Sequence, residues 1–138
     1  MTAREYLEEI RSIDLQLRVK ESELEKTRQD IYCLSATDYS KDKISGGRPM
    51  DISDKIAKLD ALREEINNDW GRLIDERKKA KVLIQKIRDH RYISVLIERY
   101  VNAKEWEQIA KCLDYSKVGT YTLHRIALKK FDEVYSEV

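Results

Sequence analysis

The stretch WEQIAKCLDYSKVGTYTLHR, residues 106 to 125, decides the fold that we predict for this chain. Its small and apolar residues fall at helical spacing on either side of a short polar break: Ile109, Ala110, Leu113 and Leu123. The break contains Asp114, Tyr115 and Ser116, and Ser116 is a good N-cap for a following helix. The stretch therefore predicts two short helices joined by a tight turn.

The spacing within this stretch fits a helix-turn-helix. Such a motif needs a small residue where the two helices touch and a turn residue that tolerates left-handed dihedral angles. Ala110 supplies the small contact, and Asp114 occupies the turn position at which Gly is usual. Thr120 and Leu123 are expected to face the core, so Thr120 would bury a hydroxyl where Val or Ile is usual. We interpret the stretch as a helix-turn-helix rather than as two ordinary core helices.

The composition of the 138-residue chain is typical of long, solvated helices. Charged residues make up 38% of it, whereas it has four Gly and one Pro. We therefore predict an all-α fold. The net charge is +1, so any affinity for nucleic acid must be local rather than spread over the whole surface.

A heptad pattern predicts a long first helix that belongs to a coiled coil. The helix is expected to begin at a capping box formed by Thr2 and Glu5. Its apolar positions recur every seven residues: Ala3, Ile10, Leu17, Leu24 and Ile31. Lys20 and Thr27 are polar interruptions of the companion positions. The apolar stripe requires a partner that covers it.

A second helix with the same pattern can supply that partner. Its apolar positions are Ile52, Leu59, Ile66, Leu73, Ala80 and Ile87. Asp51 or Ser53 is expected to cap it, and residues 35–50 predict a polar loop before it because they combine Ser, Asp, Gly-Gly and Pro. A long antiparallel helical hairpin would bury both stripes, and association of two or more chains would bury them as well.

The heptads end near His90, and this change predicts two domains. Residues 1–89 would form the helical hairpin, and residues 90–138 would form a bundle of three short helices that includes the helix-turn-helix. Asn102 is expected to cap the second short helix because Glu105 follows three residues later.

The last predicted helix carries the candidate site. From Ser116 to Phe131 there are four Lys or Arg and no acidic residue. The residues expected at DNA are Lys117, Val118, Gly119, Tyr121, Thr122, Arg125, Lys129 and Lys130. Tyr121, Thr122 and Arg125 would reach base edges in the major groove. The three lysines would hold phosphates, and Gly119 would let the backbone come close to the duplex.

An alternative interpretation of this helix is a solvated face that is basic but binds no partner. A second basic cluster, residues 77–88, has six Lys or Arg and no acid. It would either contact phosphates beside the recognition helix or form a solvated face of the coiled coil.

The sequence EWEQIAKCLDYSKVGTYTLHRIALKKF resembles the fourth region of bacterial sigma factors, the module for the upstream promoter element. Together with REYLEEIRSIDLQL, KIAKLDALREEIN and RYISVLIERYVNAKEWEQIA, it makes nearly the whole chain similar to small proteins from phages and prophages of Gram-positive bacteria. Those proteins are uncharacterised or sigma-like and are related to phage late-gene transcription activators. The resemblance implies DNA binding and transcriptional control, and it offers no catalytic motif to transfer.

No pattern for catalysis, a metal ion or a cofactor is found, so we do not expect an enzyme. Cys33 and Cys112 are expected to be reduced, buried, small hydrophobic residues. His124 is expected to be a polar or phosphate contact and not a base.

No apolar run approaches the roughly 20 residues that span a bilayer. The N-terminal sequence MTAREYLEEIRS is too acidic for a signal or transit peptide. We therefore expect a soluble protein in the cytoplasm of the bacterial host cell, without a membrane partner.

We predict a phage-type transcriptional regulator whose partner is double-stranded DNA. The hairpin would set spacing, either by forming a homodimer or by docking host RNA polymerase. One alternative is an adaptor that binds the polymerase or another host protein and never reads DNA. Another is the small DNA-packaging subunit of a phage terminase, although such subunits usually place the DNA-binding module first and here it is last.

Overall fold

The computed structural model describes the backbone of residues 1–41 and 49–138, and the side chains of residues 1–33 and 52–138. Every regular element in these ranges is helical, which confirms the predicted all-α class. The elements are α1 (Ala3–Lys41), α2 (Pro49–Gln85), α3 (His90–Leu96), a π-helical segment (Ile97–Val101), α4 (Trp106–Leu113) and α5 (Lys117–Ser136). The finer architecture, a hairpin with a sigma-like helix-turn-helix bundle, stays a prediction.

Helix α1 begins at the capping box that the sequence predicts. The backbone N–H of Glu5 donates to Oγ1 of Thr2 at 3.1 Å, and the N–H of Thr2 donates to Oε2 of Glu5 at 3.1 Å. The helix runs to Lys41, so the prediction of a loop is wrong for residues 35–41. These residues include no Gly or Pro, and each costs a helix less than about 1 kcal/mol relative to Ala.

Helix α2 begins at Pro49, two residues before the earlier of its predicted caps. Asp51 and Ser53 both lie inside the helix, so the prediction that one of them caps it is wrong. Proline suits the first turn because it has no N–H to leave unpaired and its φ is already helical. The rest of the predicted loop, residues 42–48, lies outside the described part of the chain.

The chain divides into two compact units that do not follow the order of the sequence. The larger unit contains Met1–Leu15 and Arg72–Val138, and the smaller unit is Gln16–Gly71. Each of the two long helices therefore contributes one part to either unit. The boundary predicted between residues 89 and 90 marks a change of sequence pattern and stays a prediction.

In the smaller unit, α1 and α2 are joined by polar contacts. Lys20 Nζ donates to Oε1 of Glu65 at 2.8 Å and to Oδ2 of Asp69 at 2.6 Å, and Trp70 Nε1 donates to Oε1 of Glu21 at 2.6 Å. The hydrogen bonds to Asp69 and then Glu65 raise the pKa of Lys20. The polar interruption that the sequence shows at Lys20 is thus matched by two carboxylates on the other helix.

The direction of the two helices in the smaller unit follows from a second set of neighbours. Residues of α1 beyond Lys20 and residues of α2 before Glu65 line one cavity: Glu23, Thr27, Asp30, Lys55, Lys58 and Leu62. Within this unit the helices therefore run antiparallel. Leu17 and Ile66, both heptad positions, are buried in it.

The larger unit has a core to which every one of its helices contributes. The buried apolar side chains include Leu7, Ile10, Leu73, Ala80, Ile84, Val95, Leu96, Ile109, Ala127 and Phe131. Tyr6 of α1 stacks on Phe131 of α5, with ring centroids 6.4 Å apart. Leu7 is fully buried although it lies off the heptad pattern. The first turns of α1 are therefore part of the core around α5.

Replacing Leu7 by Ala is expected to lower the free energy of unfolding by about 2–5 kcal/mol, because a buried leucine side chain is lost and a cavity remains. Urea denaturation followed by circular dichroism measures the change. Val82 is a matched control, since it belongs to the same unit but is 59% exposed. Val82→Ala should change stability by no more than about 0.5 kcal/mol. Equal effects of the two substitutions would contradict the packing of α1 described here.

Candidate nucleic-acid interface

The turn between α4 and α5 has the predicted left-handed residue. Asp114 has φ 60° and ψ 42°, and it ends α4. The N–H of Tyr115 donates to the carbonyl of Ala110 at 3.0 Å, which closes the last turn of the helix. The sequence prediction for Asp114 is confirmed, so this residue carries the strain that Gly would avoid.

Ser116 caps α5 as predicted. Its Oγ accepts the N–H of Gly119 at 3.0 Å, and its carbonyl accepts both the N–H and the hydroxyl of Thr120 at 2.9 Å. The buried hydroxyl of Thr120 is therefore satisfied. A Cβ added at Gly119 would lie 3.0 Å from Oγ of Ser116. Glycine at this position thus leaves room for the cap, whatever its role at a duplex.

Helix α5 separates a core face from an exposed face. Its buried residues are Thr120, Leu123, His124, Ala127 and Phe131. The predicted site residues at spacings of four, three and four lie on the opposite side and are exposed: Val118, Thr122, Arg125 and Lys129. We call these four residues the exposed stripe. Val118 is an apolar side chain with 74% of its surface exposed.

The remaining predicted site residues flank the stripe. Lys117 Nζ lies 3.4 Å from Oε1 of Glu107 on α4, in an exposed ion pair. Tyr121 is 43% exposed, and its ring packs edge to face with the ring of Trp106, with centroids 5.2 Å apart. Lys130 is exposed. One helix therefore carries all eight predicted residues, with Gly119 half-buried at the cap.

Helix α4 does not begin where the sequence predicts. Its N-cap is Glu105, whose N–H donates to Oε1 of Gln108 at 3.1 Å. The prediction that Asn102 caps this helix is wrong, because Nδ2 of Asn102 instead donates to Oε1 of Glu98 at 2.9 Å. The chain turns at Ala103, which has φ 55°, before the helix starts.

Trp106 is the centre of a cluster that the sequence did not predict. The Cζ atom of Arg99 lies 4.3 Å from its ring centroid, and the ring of His124 lies 4.6 Å from it. The hydroxyl of Tyr100 and Nε2 of His124 are 2.7 Å apart in a buried hydrogen bond. Burial raises the pKa of Tyr100 to about 12. The cluster joins the π-helical segment, α4 and α5.

His124 belongs to this cluster and not to the exposed face. It is 9% exposed and bonds to Tyr100, so of the two contacts predicted for it, polar or phosphate, the structure shows the polar one. Burial, and then the charges of Arg4 and Arg99, lower its pKa to about 4. The imidazole is therefore neutral at neutral pH and acts as a hydrogen-bonding core residue. Leu123 and Ala127, which lie one residue before and three residues after His124, are both buried, and this apolar spacing is the sequence feature that indicates a core position for His124.

Both cysteines are exposed, which contradicts the prediction that they are buried. Ile109, Ala110 and Leu113 occupy the inner side of α4, and this leaves Cys112 outside. Lys104 Nζ lies 3.6 Å from its sulfur.

The second basic cluster, residues 77–88, has one side that packs against the rest of the larger unit and another side that is exposed. Arg77 pairs with Asp14, a carboxylate that is 4% exposed, and Ala80 and Ile84 face the core. Lys78, Lys81 and Lys86 are exposed.

Two features of the described ranges bear on other kinds of site. Among residues 1–33 and 52–138, no group of three His, Cys, Asp or Glu residues is placed to hold a metal ion. No helix in the described part of the chain is long and apolar enough to cross a membrane.

The chain belongs to the family described as a protein of unknown function, DUF1492, whose model matches residues 33–132. The match includes α3, the π-helical segment, α4 and most of α5. No curated protein and no solved structure matches the chain.

Asp114→Gly is expected to preserve or raise stability, because Gly adopts the left-handed conformation without a Cβ clash. Asp114→Ala should be less stable than the Gly variant by about 1–2 kcal/mol. Thermal melting of the two variants and the parent chain compares them under one set of conditions. A Gly variant that melts below the Ala variant would mean that the Asp114 side chain, rather than the backbone, determines the turn.

Stability of the larger unit is expected to depend on the pKa of His124. The folded chain binds this proton near pH 4, whereas the ordinary value is 6.5. Because the unfolded chain binds the proton more readily, the stabilisation is complete above pH 6.5 and falls as the pH drops toward 4. Arg4 and Arg99 favour the neutral ring, and Glu8 opposes them. The loss is on the order of 3 kcal/mol.

His124→Gln tests this assignment because glutamine does not titrate but still hydrogen-bonds a tyrosine hydroxyl. Melting temperatures of both chains are measured between pH 6.5 and 4. The parent chain should lose more stability than the variant over this window. Parallel curves would assign the pH dependence to other groups.

Proposed function

We propose that this chain is a DNA-binding transcriptional regulator of the phage type, which acts at promoters through a sigma-like helix-turn-helix formed by α4 and α5. The observation that carries the proposal is the exposed stripe of α5, which lies opposite its core face. The helix has no acidic residue before Asp132. An exposed basic face that follows a tight turn is suited to the major groove of DNA.

The contacts at the duplex divide by position on α5. Arg125 lies on the stripe and can donate two hydrogen bonds to a guanine edge. The hydroxyl of Thr122 donates to the carbonyl of Val118 at 3.1 Å, so it would accept a hydrogen bond from a base, and the exposed Val118 suits a thymine methyl group. Tyr121 lies beside the stripe, where its hydroxyl would approach bases or sugars while its ring stays on Trp106.

The lysines would hold the phosphate backbone. Lys129 lies at the far end of the stripe, and Lys117 and Lys130 lie on its flanks. Lys117 would exchange its ion pair with Glu107 for a phosphate, and an exposed pair of this kind is worth little. These contacts position the helix, whereas the base contacts provide specificity.

The long helices complete the proposal. They would act as a coiled-coil hairpin that sets spacing, through a homodimer or by docking host RNA polymerase, in the cytoplasm of the bacterial host cell. A dimer would place two copies of α5 on successive half-sites of the duplex. Sedimentation of the full chain with and without DNA distinguishes the two roles.

Arg125→Ala is expected to weaken binding to the preferred duplex by about 1–3 kcal/mol, because one base contact is lost. The duplex is first selected from a random library with the parent chain. Binding is then measured by fluorescence anisotropy, and circular dichroism checks the fold. Affinity for a scrambled duplex should fall less, since that binding rests on phosphate contacts.

Arg28→Ala is the matched control for this experiment. Arg28 is an exposed arginine of the smaller unit that pairs with Glu25 at 3.5 Å. The control should bind the selected duplex like the parent chain. A parent chain that selects no duplex and instead retains RNA polymerase would contradict the proposal and favour the adaptor alternative.

A further inference from the structure

A cavity of about 320 Å³ in the larger unit collects three arginine side chains. Arg4 and Arg11 reach it from α1, and Arg99 reaches it from the π-helical segment. Trp106 and Tyr100 supply an aromatic wall. The volume is at the lower end of the range for sites that hold small molecules. None of the residues proposed to contact DNA lines this cavity.

Two of the three guanidinium groups have a carboxylate partner. Arg4 Nε lies 3.0 Å from Oε1 of Glu8, and Arg11 Nη2 lies 3.1 Å from Oε1 of Glu105. The pair at Arg11 is incomplete, because its Nε is buried and has no hydrogen-bond partner among the described residues. The ion pair with Glu105 therefore leaves one donor of this guanidinium unsatisfied among the described residues.

Arg99 is the one of the three guanidinium groups for which the described residues provide no salt bridge. In the described part of the chain, no carboxylate lies within salt-bridge distance of it. It stacks on Trp106 and donates from Nη1 to the carbonyl of Lys104 at 3.1 Å. Burial, and then the charge of Arg11, lower the pKa of Arg99. A half-buried cation beside a second cation is stabilised when an anion enters between them.

We propose that this cavity binds a small anion of the phosphate class, with Arg99 and Arg11 as charged donors and Trp106 as the aromatic wall. Guanidinium groups match phosphate oxygens because their N–H donors form a rigid fork. Free phosphate would satisfy the donors, and a nucleoside monophosphate would also fill the space beside Trp106. A small anion can enter a concave site, whereas the backbone of a DNA duplex is contacted by side chains that protrude from the protein surface. The concave shape therefore favours the small anion.

Isothermal titration calorimetry of the full chain with inorganic phosphate, AMP and adenosine tests the proposal. Phosphate or AMP should bind and adenosine should not. Arg99→Gln should weaken the binding by at least about tenfold, since a hydrogen bond to a charged group is lost. Tighter binding of AMP than of phosphate identifies a phosphorylated nucleoside as the ligand type, and equal binding identifies free phosphate. Both results support the proposed site.

Three further variants distinguish a loss of anion binding from a loss of folding or of DNA binding. Arg125→Gln removes an exposed arginine of α5 and should bind the anion like the parent chain. Arg99→Lys keeps a charge beside Trp106 but loses the fork, so its affinity should lie between those of the parent and of Arg99→Gln. Arg11→Gln should also weaken binding, without disturbing the Arg99–Trp106 contact.

Two results would overturn the proposal. One is that neither phosphate nor AMP binds the parent chain. The other is that the Arg99 and Arg11 variants bind the anion as tightly as the parent chain does. If Arg99→Gln weakened DNA binding while no small anion bound, Arg99 would be a contact to the DNA backbone and the cavity would have no ligand of its own.

Discussion

Burial of one face of α5 is the constraint on which the rest of the larger unit depends. Phe131 meets Tyr6 of α1, and His124 meets Tyr100 of the π-helical segment and Trp106 of α4. One face of a helix cannot serve the core and the solvent at once. The same packing that holds these elements together therefore determines which residues of α5 are left for a partner, and Arg125 is among them.

The polar groups of this core are placed where the fold can satisfy them. The hydroxyl of Thr120 bonds within its own helix turn, and His124 stays neutral against Tyr100. Arg99 differs, because its charge is stacked on Trp106 and no carboxylate in the described ranges forms a salt bridge with it. Trp106 also supports Tyr121, so one indole ring is common to the proposed DNA-binding face and the proposed anion site.

The features that the sequence predicted correctly are those that depend on neighbouring residues. The capping box of Thr2 and Glu5, the left-handed Asp114 and the cap at Ser116 each involve groups within a few positions of one another. A hydrogen bond to a nearby backbone N–H is much the same in a peptide as in a folded chain. Helical periodicity likewise predicted the buried face that contains Thr120.

By itself, then, the sequence determined the helical class, the capping box of α1, the cap of α5 at Ser116 and the left-handed turn before α5. Only the tertiary structure decided that His124 is a core residue, that Cys112 is exposed and that Asn102 is not a cap. It also brought Arg11 and Arg99, far apart in sequence, to one cavity. The physical reason is that burial and charge environment depend on what packs from other elements, and no spacing along one helix contains that information.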